Sequence, residues 1–274
     1  MNRLYDAFGD TTRLYETWTT SGPLNELMGT DNSWGPEPGD QYGKAIRAVA
    51  RYCGLSEVDI VTCPMRNAFW NPSTKTMGFG EAMAVDDVAA HELTHGVTQA
   101  TSGPIYRGQS GAINESMSDL FGELVDMTNG SVDDTVANRW KVGEGSALGI
   151  IRDMADPTAH RQPDSMISPY YEWPREVISV HTNSGVGNKT AFLIADGGDF
   201  GGESITGLGL RKTAQLYWTV QTLLPENADY AFLGAALRSA CQQNAIMGTA
   251  GFQRQDCEQV AKATQATRLG WGMS

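Results

Sequence analysis

Apolar residues fall on helical spacing at the start of this 274-residue chain, where Leu4, Ala7, Phe8, Leu14, Tyr15 and Trp18 line one side of a predicted helix over 4–18. Gly22-Pro23 ends it, and the Gly-, Pro- and Asp-rich stretch 31–39 reads as loop. The period then changes: Ile46, Ala48, Ala50 and Tyr52 alternate with Arg47, Val49 and Arg51, as in a strand. Two further strands, 67–70 and 76–79, flank a turn at Asn71-Pro72-Ser73. Helical spacing returns after Asp86 or Asp87, a cap, and runs to about Ala100; a second helix spans 112–128 and stops at Asn129-Gly130. From Ser184 onward the pattern is mostly helical, over 184–195, 207–223, 229–243 and 254–266, and no internal repeat is present. The expected fold is α+β in two lobes: a β-containing N-terminal lobe over 1–101 and a mainly α-helical C-terminal lobe over 102–274. The paired helices meet at a cleft between them.

The helix over 86–100 carries His91-Glu92-Leu93-Thr94-His95, a match to H-E-x-x-H. Residues four apart share a helix face, so both imidazoles can hold one zinc ion while Glu92, one step round, faces the open position as general base. Zinc catalysis usually takes three protein ligands. The chain has only four histidines, the others being His160 and His181, so the third ligand is expected from Glu115. Glu115 and Asp119 are again four apart, on an otherwise small and apolar helix; one can bind metal while the other fixes a histidine. A solvated acidic face is the plainer reading of the same pair.

Asn67-Ala68-Phe69-Trp70-Asn71, HELTH, SGPIYRGQSGAINESMSD and VHTNSGVGNKTAF, in this order and with compatible spacing, resemble the thermolysin-type neutral metalloproteases, secreted zinc and calcium endopeptidases. The similarity runs from about Leu4 to the C-terminus and is greatest to bacterial members with cysteine pairs. The resemblance implies that Tyr106 and His181 stabilise the oxyanion, that Asn114 and Asp119 steady the zinc histidines, and that Glu176 orients His181. Glu176 stands where the family usually has an aspartate. It further implies that Arg152 binds a substrate carbonyl, with a structural ion pair as the alternative or companion role. Asn67 and the Ala68 backbone would pair with an extended peptide. An apolar pocket including Val88, Val142 and Ile151 would select a hydrophobic residue after the cleaved bond. His160, in a polar loop, receives no role.

The resemblance also implies a calcium region at Asp87, Glu123, Asp126 and Glu144, near Asp133 and Asp134; a merely acidic surface is the alternative. Arg139 and Lys141 replace acids found in some members, and the stretch 143–151 is too short for a further calcium loop, so one Ca²⁺ is expected. Cys53, Cys63, Cys241 and Cys257 form two local pairs without CxxC spacing or nearby histidine. They read as Cys53–Cys63 and Cys241–Cys257 disulfides in an extracellular setting, or else as four buried thiols.

The net charge of −12 argues against nucleic acid as a partner, and no apolar run approaches the roughly 20 residues that span a bilayer. A monomer acting on proteins or peptides is expected. The N-terminus lacks a signal-peptide pattern, so the chain reads as a processed form whose propeptide is absent. Two other readings stay open. An aminopeptidase needs an acidic anchor for a free amine, which is not identifiable here. An inactive scaffold used for binding usually loses its base or a ligand.

Overall fold

The N-terminal apolar stripe forms α1 (Asn2–Trp18), burying Leu4, Ala7, Leu14 and Tyr15 against the core with Phe8 and Trp18 half-buried beside them. The protein is described from a computed structural model covering residues 2–29, 45–55, 61–63, 65–131, 135–173 and 179–270. A short helix, α2 (Leu24–Met28), follows Pro23 and ends at Gly29 in the left-handed region. The alternating segment is a strand only over β1 (Ala48–Ala50). A short antiparallel pair, β2 (Gly54–Leu55) and β3 (Val61–Thr62), precedes the hairpin of β4 (Ala68–Asn71) and β5 (Thr76–Phe79). β1 pairs parallel to β5, giving the order β1-β5-β4 and leaving β4 at an edge.

The motif helix α3 (Asp86–Ala100) starts from Val85, not from an aspartate cap. Asp87 lies inside the first turn and accepts from the Val88 amide and from the Gly143 amide across the chain. α4 (Gly108–Asp126) begins four residues before the predicted 112, and every residue from Ser110 onward is buried. It lies between α3 and α5 (Val180–Ala195). Two glycines permit this approach: a Cβ on Gly122 would sit 2.7 Å from the Asp87 carbonyl oxygen, and one on Gly187 would sit 2.2 Å from Ser116 Oγ. α5 starts four residues earlier than the predicted 184, so His181 lies in its first turn. Thr182, Asn183, Ser184 and Gly185 are weak helix formers, and packing overrides them. Buried Asn183 exchanges hydrogen bonds with both the N–H and C=O of Glu172, and Ser184 Oγ donates to the His181 carbonyl.

Between α4 and α5 lie the paired β6 (Lys141–Val142) and β7 (Arg152–Asp153), then a 3₁₀ turn, Pro157–His160. After α5 comes a hairpin, β8 (Gly197–Phe200) and β9 (Glu203–Thr206), where helix prediction leaves only a gap. Its two-residue turn is Gly201-Gly202, with φ of 57° and 88°, a left-handed turn that glycine supplies freely. The rest is α6 (Leu210–Gln221), α7 (Tyr230–Met247) and α8 (Arg254–Ala266). The architecture is α+β, with strands concentrated in the N-terminal part and helices dominating the C-terminal part. Among the described residues no helix is long and apolar enough to cross a membrane.

Both cysteine pairs are bonded, Cys53–Cys63 beside the β2–β3 pair and Cys241–Cys257 joining α7 to α8. The second closes a loop with a sequence separation of 16. Chain-entropy arguments assign such a loop about 3 kcal/mol. Replacing Cys241 and Cys257 together by alanine should therefore lower unfolding free energy by about 3 kcal/mol in a denaturant titration. An unchanged midpoint would show that the α7–α8 contact is self-sufficient.

Candidate metal and catalytic site

α3 and α4 bring His91, His95 and Glu115 together, each buried or nearly so, with candidate ligand atoms all within 4.8 Å of one another. His91 Nε2 lies 3.5 Å from Glu115 Oε2, and His95 Nε2 lies 3.5 Å from Glu115 Oε1. Ligands about 2.1 Å from a tetrahedral zinc lie about 3.4 Å from each other, close to the separation of each histidine from the Glu115 carboxylate. Glu115 Oε2 is fully buried and has no hydrogen-bond donor. A buried carboxylate oxygen left without a donor is costly, and facing the His91 and His181 imidazoles it suits a cation.

The far nitrogens of both imidazoles are held. His91 Nδ1 meets Asp119 Oδ1 at 2.9 Å. His95 Nδ1 meets Asn114 Oδ1 at 2.9 Å and Ser118 Oγ at 3.0 Å. Asp119 also accepts two bonds from Arg152, at 2.7 and 2.5 Å, and one from Asn188 Nδ2 at 2.8 Å. Asn114 and Asp119 thus stand where the sequence places them, whereas Ser118 on α4 and Asn188 on α5 lie inside the motif stretches but received no role from the sequence. Arg152 is buried and engaged with Asp119, the ion-pair role weighed for it, while also lining the cleft.

Charge and burial set the titration of these groups. Burial pushes the Glu92 carboxyl up to about 7, opposed by the charge of His91, reinforced by that of Glu115, and opposed again by Arg152 and the facing Trp70 amide. Burial lowers His95 to about 4, which keeps it in the neutral form a metal needs. Burial would also lower His91, but the hydrogen bond and charge of Asp119 and the charge of Glu115 raise it overall. Asp119 itself is held well below the usual range, because Arg152 and His91 outweigh its desolvation. Burial, followed by the charge of Glu115, raises Tyr106.

Tyr106 and His181 converge from opposite sides. The Tyr106 hydroxyl donates to Glu115 Oε1 and lies 3.3 Å from His181 Nε2, which is itself 3.4 Å from Glu115 Oε2. Glu176 lies outside the described residues, as do Asp133 and Asp134. His160 ends the 3₁₀ turn and does not line the cleft. That cleft, of about 570 Å³, is lined on one side by Asn67, Ala68 and Trp70 of the sheet edge. Val88, Val142 and Ile151 line it too, joined by Met83 and Leu148.

Farther along α4 a second carboxylate group forms: Asp87, Glu123 and Glu144 are buried with oxygens within 4.8 Å of one another. Asp126 is not one of that trio, but it lies close enough that its charge adds to the effect on Glu123. Glu123 is pushed well above the usual range by burial, then by Asp87, Glu144 and Asp126. Burial also raises Asp87, to about 6.

Models of the thermolysin metallopeptidase match the chain in two consecutive pieces, the catalytic domain over residues 30–99 and the alpha-helical domain over 102–268. A zinc metalloproteinase of Renibacterium salmoninarum is 46% identical over 276 residues, covering 98% of this chain and 49% of that protein. A bacillolysin of Brevibacillus brevis is 36% identical over 73% of this chain and 37% of its own length. A thermolysin of Bacillus caldolyticus is 37% identical over the same 73% and 37% shares. The chain thus spans half or less of the length of these relatives. Among solved structures, the precursor of protealysin, a metalloproteinase from Serratia proteamaculans, superposes with a TM-score of 0.70 at 25% identity, over 98% of this chain and 78% of that one. With both of its domains matched in order, the chain belongs to the thermolysin metallopeptidase family.

Proposed function

We propose that the protein is a zinc-dependent endopeptidase. The observation that carries this reading is the Glu115 carboxylate set against both motif histidines, its donorless buried Oε2 facing His91 and its Oε1 facing His95, with Glu92 one helix step away on the cleft wall. A zinc ion held by His91, His95 and Glu115 would supply Lewis acidity, lowering the pKa of water and polarising a peptide carbonyl. Glu92, whose raised carboxyl pKa suits proton exchange near neutrality, takes the proton of the attacking water and returns it to the departing amine. Tyr106 and His181 offer the donors for the oxygen on which negative charge develops. Asp119, Asn114, Ser118 and Asn188 hold the imidazoles and Arg152 in place, and Arg152 turns its remaining guanidinium surface to the substrate.

The peptide is read as an added strand on the outer edge of β4, unpaired among the described residues, at Asn67 and Ala68, because main-chain pairing accepts many sequences. The apolar wall of Val88, Val142 and Ile151 then favours a hydrophobic residue just after the scissile bond. Extracellular action as a monomer, release from a propeptide and the lobe division 1–101 and 102–274 belong to the same reading. The two disulfides support the oxidising setting. Asp87, Glu123, Glu144 and Asp126 would hold one calcium ion, since buried carboxylates this close need a cation or protons.

Glu92→Gln should retain stoichiometric zinc and lose about 10²- to 10⁴-fold in kcat. His181→Ala should lose about 10²- to 10³-fold in kcat with a smaller change in KM. Turnover near that of the wild type in either variant would remove that residue from the mechanism. An N-terminally blocked peptide should be cut at internal bonds preceding apolar residues; cleavage restricted to peptides with a free amine would favour the aminopeptidase reading. Adding calcium at about 100 times its dissociation constant to chelated, zinc-reloaded protein should raise stability by about 2.7 kcal/mol, read as a rise in Tm. No shift would leave the acidic trio as a proton store only.

A further inference from the structure

Gln99 closes the exposed last turn of α3, where a glutamine side chain ordinarily points into water with free rotamers. Here both ends of its amide are committed. Oε1 accepts from the Trp70 indole at 2.7 Å, and Nε2 donates to the Pro72 carbonyl at 3.2 Å. One side chain therefore grips the edge hairpin at two points two residues apart. The hairpin end it grips is itself fixed, because Asn71 Oδ1 accepts from the amides of Ser73 and Thr74.

The indole has a prepared seat. Gly96 lies one turn before Gln99, and a Cβ there would come 2.9 Å from Trp70 Cη2 and 2.3 Å from Met28 Cε. The missing side chain lets the ring lie against α3 with its N–H reaching Gln99. The Trp70 main-chain N–H also faces the Glu92 carboxyl and helps oppose its upward shift. The same residue thus meets α3 at two places, its backbone facing Glu92 and its indole, two helical turns later, bonded to Gln99. β4 has no strand on its outer side among the described residues, and Asn67, Ala68, Trp70, Pro72 and Gln99 all line the cleft.

We propose that Gln99 is a positioning residue for the substrate: through Trp70 it fixes the distance between the β4 edge and α3, so that a peptide paired with that edge presents its carbonyl beside Glu92. The proposal rests on the reading of β4 as the substrate-pairing strand. Its consequence depends on substrate length. A peptide long enough to pair with β4 uses the distance that Gln99 sets, and a peptide spanning only the scissile bond does not.

The test compares a blocked dipeptide with a blocked octapeptide containing the same scissile pair. Gln99→Leu keeps the side chain's bulk but neither hydrogen bond. It should raise KM for the octapeptide about five- to tenfold, the size of one or two neutral hydrogen bonds, with kcat and all dipeptide constants within about twofold. Gln99→Glu, which still accepts from the indole, should recover most of that loss. Trp70→Phe removes the indole donor and should reproduce the length-dependent rise, and Gln99→Leu should add nothing to it. An unchanged octapeptide KM, equal losses for both peptides, or full additivity with Trp70→Phe would each overturn the proposal. Octapeptide affinity measured by calorimetry in Glu92→Gln, with and without Gln99→Leu, separates the two readings. If the wild type cleaves neither peptide, the endopeptidase reading fails, and an unchanged affinity on adding Gln99→Leu overturns the clamp.

Discussion

A buried helix carrying four carboxylates down one face is the constraint around which this molecule is arranged. Glu115, Asp119, Glu123 and Asp126 follow one another at intervals of four, four and three along α4, and all are buried. That spacing is a single stripe on a 3.6-residue helix. Burying one isolated carboxylate is expensive enough that it either takes up a proton or finds a positive partner. Four in a row require the neighbouring elements to supply compensation turn by turn.

The compensation divides the stripe in two. At the upper half Arg152 and the two motif histidines surround Glu115 and Asp119, and both carboxylates are held in their charged form. At the lower half the neighbours are further acids, Asp87 and Glu144, and Glu123 is driven toward its protonated form instead. Opposite responses on one helix follow from what α3 and the β6–β7 region bring to each turn. The upper half is built to keep charge, whereas in the lower half acid crowds on acid around Glu123, which is why both are read as cation sites for different reasons.

Much of this was legible from the chain because it lies within single helices. The four-residue spacing of His91 with His95 and of Glu115 with Asp119 states which side chains share a face, and the small residues around them state that the face is buried. The partners contributed by other segments were not legible. Asn188 reaches Asp119 across 69 positions, and Gln99 meets Trp70 across 29; nothing in local periodicity encodes either meeting. Element boundaries moved where propensity and packing disagree, as at Thr182–Gly185, a helix held by buried side-chain bonds. The Gly201-Gly202 hairpin turn was written plainly in two residues but sits inside a stretch too glycine-rich to read as strands. Glu176 belongs to a segment outside the described residues, so its pairing with His181 stays a matter of sequence.

The two halves of the stripe are mechanically one object. Asp87 lies in the first turn of α3, and His91 and His95 follow it one and two turns later on the same rigid helix. The contact that fixes α3 against α4 at that end is the backbone of Asp87 on Gly122, beside Glu123. Asp87 also bonds the Gly143 amide, which anchors the segment leading through Ile151 to Arg152. Any cation drawn to Asp87, Glu123 and Glu144 therefore sets the separation of α3 from α4 and the placement of the Arg152 strand together. Those are the two distances on which the His91, His95 and Glu115 geometry depends. A substitution widening the lower half, such as a side chain at Gly122, must spread the upper ligands as well, because interlocked helices transmit displacement rather than absorb it.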